Sequence, residues 1–357
     1  MGRKRRISSI ELCRFLFSLT VVLFHAQDSF LSHVVDPYVA RFTLFAHGNC
    51  AVEFFFLVSG YLMAASVGRK AEPTSGEELA RDTQSFVLGK ARSVWPYHVP
   101  LFVTSLITAA LVMGLGVVGT AEYALRSIPS FFFLQMLGFK GGNPNSVEWY
   151  ISAMLIVMTV LYPMLRRHYH MFKKVVAPLL SLAVLGWLFR ESGQLTGVSA
   201  WCGITYRSVL RALAEIALGI WLHDIVQHLD QLQLSRGQQR LLSFVQAASI
   251  VTVLAGFCTT MNTQAEFLFL LLLAVGVALS FSRHSLLNDL LDRKAILWLG
   301  AFSTPLYLSQ VTGLNLTKLV GGGILPVGQV ALAVGLTFAI ALAFHALVRA
   351  RTRTRRA

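Results

Sequence analysis

Arg14 and His25 bracket ten uncharged residues in the stretch RFLFSLTVVLFH. On an α-helix their eleven-position spacing is about 20° beyond three complete turns and spans about 16.5 Å, so the two share one face. Glu11, three residues before Arg14, and Ser18, four after it, lie on the same stripe. The rest of the segment is mainly Phe, Leu and Val. A guanidinium in a bilayer costs about 2.5–3.5 kcal/mol on insertion scales, so Arg14 is expected to face a bundle interior or a wet cavity. Neutral imidazole accepts a proton near neutral pH, which makes His25 a candidate general base.

A second group of ionisable residues sits in other apolar stretches. GNCAVEFFFLVSGYLMAASV places Glu53 at the start of a span, with Ser59 and Gly60 permitting close helix approach. In YRSVLRALAEIALGIWLH, Arg207, Arg211, Glu215 and Gly219 follow at four-residue steps on one face. Arg211 can pair with Glu215, which leaves Arg207 for an anionic partner. Lys90 and Arg92, with Arg81 nearby, precede the re-entry into the membrane at VWPYHV and are candidates for binding an anionic cofactor.

The elements that must position these groups are membrane helices. Apolar residues make up 55% of the 357 and charged residues only 13%, in repeated apolar runs. Spans are expected at about 7–28, 48–67, 97–118, 147–165, 175–190, 205–222, 241–259, 265–282, 296–316 and 326–348, an all-α polytopic bundle of about ten transmembrane helices. Most of the 31 Lys and Arg then fall on one side: Arg3 to Arg6, the stretch 69–92, Arg166 to Lys174, Arg236 and Arg240, Arg283 to Lys294, and the tail from Arg349. Arg41, Arg126, Lys140, Arg190 and Lys318 fall on the other. The positive-inside bias makes both termini cytoplasmic. The net charge of +14 is thereby accounted for by topology and membrane lipid, and no nucleic acid is expected. SIPSFFFLQMLG, 127–138, is too short for a span and reads as re-entrant or interfacial.

No polar linker divides the chain, so residues 1–348 read as one integral membrane domain, followed by a basic tail at 349–357. The four cysteines, at 13, 50, 202 and 258, have no CxxC spacing, and His33, His47, His168, His170, His223, His228 and His284 lack ligand spacing; no metal site is expected.

In order along the chain, the motifs resemble the acyltransferase-3 family of bacterial integral membrane acyltransferases. They are Arg14 to His25, VEFFFLVSGYL (52–62), FVLGKARSVWP with Lys90, Arg92 and Pro96, WYISAMLIV from Trp149, the Arg211, Glu215 and Gly219 series, and LGAFSTPLYLSQ (299–310). Two positions depart: Gln310 stands where the last motif usually ends in His, and Met154 where many members carry Glu.

The resemblance implies transfer of an acyl group, most commonly acetyl from cytoplasmic acetyl-CoA, to a hydroxyl of a surface glycan or its lipid-linked precursor in the bacterial cytoplasmic membrane. His25 would be the base, and Arg14 would stabilise charge or orient the donor. Glu53, Trp149, Ser152, Arg207, Arg211 and Tyr307 are candidate substrate-binding residues, and Lys90 and Arg92 candidate CoA contacts. The competing reading is a transporter or flippase for a small anion or lipid-linked sugar, using the same intramembrane charges as a relay.

Overall fold

The computed structural model describes residues 6–32, 45–259 and 263–354. Arg3 to Arg5, His33, Arg41 and the end of the tail lie outside the described residues. Helices occur at each expected span: α1 Ser8–Leu31, α2 Val52–Val67, α3 Gly76–Val112, α4 Val117–Arg126, α5 Trp149–Arg167, α6 Ala177–Ser192, α7 Arg207–Leu229, α8 Arg236–Phe257, α9 Ala265–Phe281, α10 Lys294–Val320 and α11 Pro326–Thr354. A two-residue hairpin, β1 Trp201–Cys202 with β2 Thr205–Tyr206, links α6 to α7. All-helical construction is what a bilayer demands, since each backbone donor must be satisfied within its own segment.

Among the described residues, seven helical segments are long and apolar enough to cross a membrane. Helix α9 is apolar but 17 residues long. Helices α7 and α10 have the length, and they bury polar groups within the bundle: Arg211 and Glu215 on α7, and Ser303, Ser309, Gln310, Thr312 and Asn315 on α10. Arg6 reaches the Leu297 carbonyl near the start of α10, and His345 of α11 packs on Trp298. Both described ends of the chain therefore lie at one end of the bundle, called below the basic end.

Two expected boundaries shift. The basic stretch 69–92 is not a loop from Gly76 onward: Ser75 caps α3 by accepting the Glu78 N–H at 3.1 Å, and the helix then runs 37 residues, about 55 Å. Its overhang is clamped to α5 by Asp82, which accepts from Lys70 at 2.9 Å and from buried Arg166 at 2.8 Å. Partial burial opposes charge on Lys70, but hydrogen bonds to Asp82 and Tyr162 outweigh it and hold the ammonium above its ordinary pKa. At the other end, α3 stops at Val112 rather than 118, because Gly114 takes a φ of +65° and turns the chain into α4. Helix α4 buries none of its residues. The 127–138 segment follows as two short turns, Ile128–Phe131 and Gln135–Leu137, with Ser130, Phe133, Gln135 and Met136 buried, in keeping with a segment that enters the bundle without crossing it.

Helices in lipid associate by close packing more than by apolar burial. Helices α2 and α7 approach backbone to backbone. A Cβ on Gly60 would run into the Ile216 carbonyl, and one on Gly219 into the Leu57 carbonyl. Backbone cannot yield as a side chain can. Gly219→Val is therefore expected to destabilise the solubilised protein by about 1–3 kcal/mol, read as a lowered thermal midpoint in detergent, whereas Gly186→Ala, where a Cβ meets nothing, leaves it unchanged. Helices α3 and α10 are joined by polar contacts instead: Ser105 with Thr312 at 2.8 Å, and Asn315 to Thr108 at 3.3 Å.

Candidate active site

A cavity of about 1340 Å³ opens at the basic end between α1, α2, α3, α5, α10 and α11. Five cations line it, Arg6, Arg14, Lys90, Lys294 and Arg349, against the single carboxylate of Asp292. Lys90 and Arg92 are two residues apart on α3, hence about 200° apart around the helix. Only Lys90 faces the cavity, and Arg92 is exposed elsewhere. The chain termini supply Arg6 and Arg349, and the start of α10 supplies Lys294. One wall is aromatic: Tyr97 and the ring of His345 stack at 6.2 Å and share a 3.0 Å hydrogen bond, with Trp298 edge-on to the same ring.

Arg14 marks the inner end. Its nearest counter-charge is Glu11 at 3.9 Å, beyond hydrogen-bond distance, and its side chain is 37% exposed. The guanidinium donors thus point at the cavity rather than at protein acceptors, and can meet an anion or a polarised carbonyl. Ser59 donates to the sulfur of Met154 at 3.3 Å on the facing wall, so the thioether takes up the contact available at that position. The cavity shares Arg14, Phe55, Tyr150 and Thr304 with a narrow extension of about 20 Å³ that continues to Ser18, Tyr307 and Leu308.

His25 lies two helical turns beyond Ser18 on the same face and is not among the residues lining either space. Its Nδ1 is 2.8 Å from Oε1 of Gln310. The Gln310 amide is oriented by its own Nε2, which donates to the Tyr307 carbonyl at 2.7 Å. Oε1 is therefore the atom turned to the imidazole, and since it can only accept, Nδ1 must carry the proton. That tautomer leaves the lone pair on Nε2. The imidazole is thus held in the form a general base needs.

The other predicted residues separate into two groups. Arg211 donates to Glu215 at 3.0 Å and to Glu53 at 3.3 Å, and its guanidinium lies 5.9 Å from the centroid of the Trp149 ring; Glu53 and Glu215 are fully buried. Arg207 donates to the Thr196 carbonyl at 2.8 Å and braces the loop before the hairpin, apart from Arg211. Ser152 accepts the Met136 N–H at 3.1 Å, which ties the entering segment to α5, and Tyr307 donates to the Val147 carbonyl at 2.9 Å. Only Tyr307 of this set touches the narrow extension.

A buried pair absent from the sequence reading holds this region. His98 faces acceptors at both ring nitrogens, Glu148 Oε1 at 2.8 Å and the Phe131 carbonyl at 2.9 Å. Asn145 donates to Glu148 at 3.0 Å and to the Leu308 carbonyl at 3.2 Å. The network fastens the 127–148 segment to α3 and to the part of α10 that carries Gln310. His98 and Glu148 are far apart in sequence, so no spacing signal could reveal them.

The family model described as an acyltransferase domain, acyltransferase-3, matches residues 7–346, nearly the whole chain. The chain belongs to the acyltransferase-3 family. As a multi-pass membrane acyltransferase it takes an acyl donor and an acceptor. Neither a curated protein nor a solved structure matches this acyltransferase. Within the matched residues fall Arg14, His25, Gln310 and every cavity cation except Arg6 and Arg349.

Proposed function

We propose that this acyltransferase moves an acetyl group from cytoplasmic acetyl-CoA to a hydroxyl of a cell-surface polysaccharide or its lipid-linked precursor, across the bacterial cytoplasmic membrane, with His25 as general base. The observation that carries the reading is the basic cavity with Arg14 at its inner end, on the same helix face as His25, which Gln310 holds further along α1. Its cations suit the phosphates of CoA, its aromatic wall an adenine ring, and by the positive-inside bias its mouth faces the cytoplasm.

In the reaction, the acceptor hydroxyl gives its proton to His25 Nε2 as its oxygen attacks the thioester carbonyl. Arg14, about 16.5 Å of helix rise away, orients the anionic donor so that its thioester reaches that ring. Collapse breaks the carbon–sulfur bond, and the imidazolium returns the proton to the leaving thiolate, giving CoA thiol and an acetyl ester. The narrow extension holds little more than one water, so the acyl arm reaches the imidazole only when Tyr150 and Tyr307 turn aside.

Gln310→Ala removes the acceptor that fixes the tautomer and is expected to lower kcat by about tenfold to a hundredfold, with KM for the donor little changed; Gln310→Glu, which keeps an acceptor, should lose less. Lys90→Ala should raise the donor KM severalfold while Arg92→Ala leaves it unchanged, as steady-state kinetics on membranes would show. The function itself is tested with inverted membrane vesicles given labelled acetyl-CoA and glycan. Alkali-labile label on the glycan supports the proposal, and unmodified glycan or anion crossing the bilayer without labelling would overturn it in favour of transport.

A further inference from the structure

At the end of the bundle opposite the termini, His47, Cys50 and Glu266 bring a ring nitrogen, a sulfur and a carboxylate oxygen within 4.8 Å of one another, and all three residues are buried. His47 Nδ1 is 3.8 Å from Glu266 Oε1. The three come from two pieces of chain: His47 and Cys50 from the short 3-10 turn Gly48–Ala51 and its N-cap, just before α2, and Glu266 from the first turn of α9.

Glu266 is held from behind. Its Oε2 accepts the N–H groups of Leu195 at 2.7 Å and Thr196 at 3.1 Å, and its Oε1 accepts the Thr196 hydroxyl at 3.0 Å. A carboxylate offers about four lone-pair positions, so one remains on the side facing His47 and Cys50. His47 is fixed too, its backbone N–H donating to the Phe257 carbonyl at 3.2 Å and its ring edge-on to Phe269. Oriented ligands backed by a second layer of hydrogen bonds are the usual construction of a metal site.

The local charge points the same way. Three buried carboxylates, Glu53, Glu215 and Glu266, surround one buried guanidinium, Arg211, and the Cys50 thiol lies within electrostatic reach of all of them. Oε2 of Glu53 and Oε2 of Glu215 are buried without a hydrogen-bond partner among the described residues. A carboxyl oxygen buried without a partner is costly unless a cation or a proton meets it.

We infer that His47, Cys50 and Glu266 bind a zinc ion. One nitrogen, one sulfur and one oxygen ligand suit this borderline cation better than calcium or magnesium, which favour oxygen alone. On binding, the Cys50 thiol gives its proton to solvent and ligates as thiolate, with no change of oxidation state. Water completes the tetrahedron. The ion clips the turn before α2 to α9 and, through Glu266, to the loop at Leu195 and Thr196. The inference is independent of the acyl-transfer reading.

The test is metal content and cobalt spectroscopy on the full-length protein purified in detergent. About one zinc per chain is expected by mass spectrometry, falling to a small fraction in Cys50→Ser and His47→Ala but not in Cys202→Ser. Metal-stripped wild-type protein titrated with cobalt(II) should develop the ultraviolet thiolate-to-cobalt charge-transfer band, a readout that needs no variant to fold. Wild-type protein without zinc and without that band would overturn the site, as would Cys50→Ser retaining its full zinc content.

Discussion

Alanine at position 25 is expected to reduce acetyl transfer by about 10²- to 10⁴-fold, the range for loss of a positioned general base, while the protein inserts and melts as the parent does. The imidazole is only partly buried, and its contacts among the described residues include the Gln310 side chain and the Val21 backbone within its own helix, so its removal costs little packing. Transfer measured in vesicles alongside a detergent melting curve separates chemistry from folding. A variant with normal melting and full transfer would remove His25 from the mechanism. The same assay distinguishes a base from a covalent carrier: donor alone leaves no label on the protein if His25 only takes a proton, whereas an acyl-imidazole would retain it.

Arg14→Lys carries the second large effect, a loss of about 10²-fold concentrated in kcat. Charge is conserved in this substitution, so only geometry changes. Among the described residues the guanidinium has Glu11 at 3.9 Å as its ion-pair neighbour and otherwise faces the cavity, where its planar fork can meet two acceptor oxygens of the donor together. An ammonium on a flexible stem cannot hold both. If Arg14 merely set the orientation of the span in the membrane, lysine would serve as well and kcat would not move; steady-state kinetics with the donor varied decides between them.

Apolar run length and Lys/Arg placement made the all-α membrane bundle legible in the sequence, and the stripe of Glu11, Arg14, Ser18 and His25 was legible because one helix carries all four. What could not be read is what two distant helices do to each other. Gln310 stood out in sequence as a departure from the family motif, and its contact with His25 joins α1 to α10. Arg349 and Lys294 looked like topology signals, since their part in the cavity depends on α10 and α11 closing over the start of α1. Arg207 shares a helical face with Arg211 by spacing, yet a loop carbonyl at Thr196 captures it. The third member of the His47 cluster was hidden for a similar reason: Glu266 meets His47 and Cys50 only through the packing of α9 beside α2.

The amide behind the imidazole has a further consequence for the direction of proton flow. A second histidine at position 310 would itself be able to ionise and hand a proton onward, but glutamine cannot, so the route ends there. On the proposed mechanism, the hydrogen ion that the alcohol surrenders would return through the same ring nitrogen to the departing sulfur. Each turnover would then carry no net proton from one face of the membrane to the other.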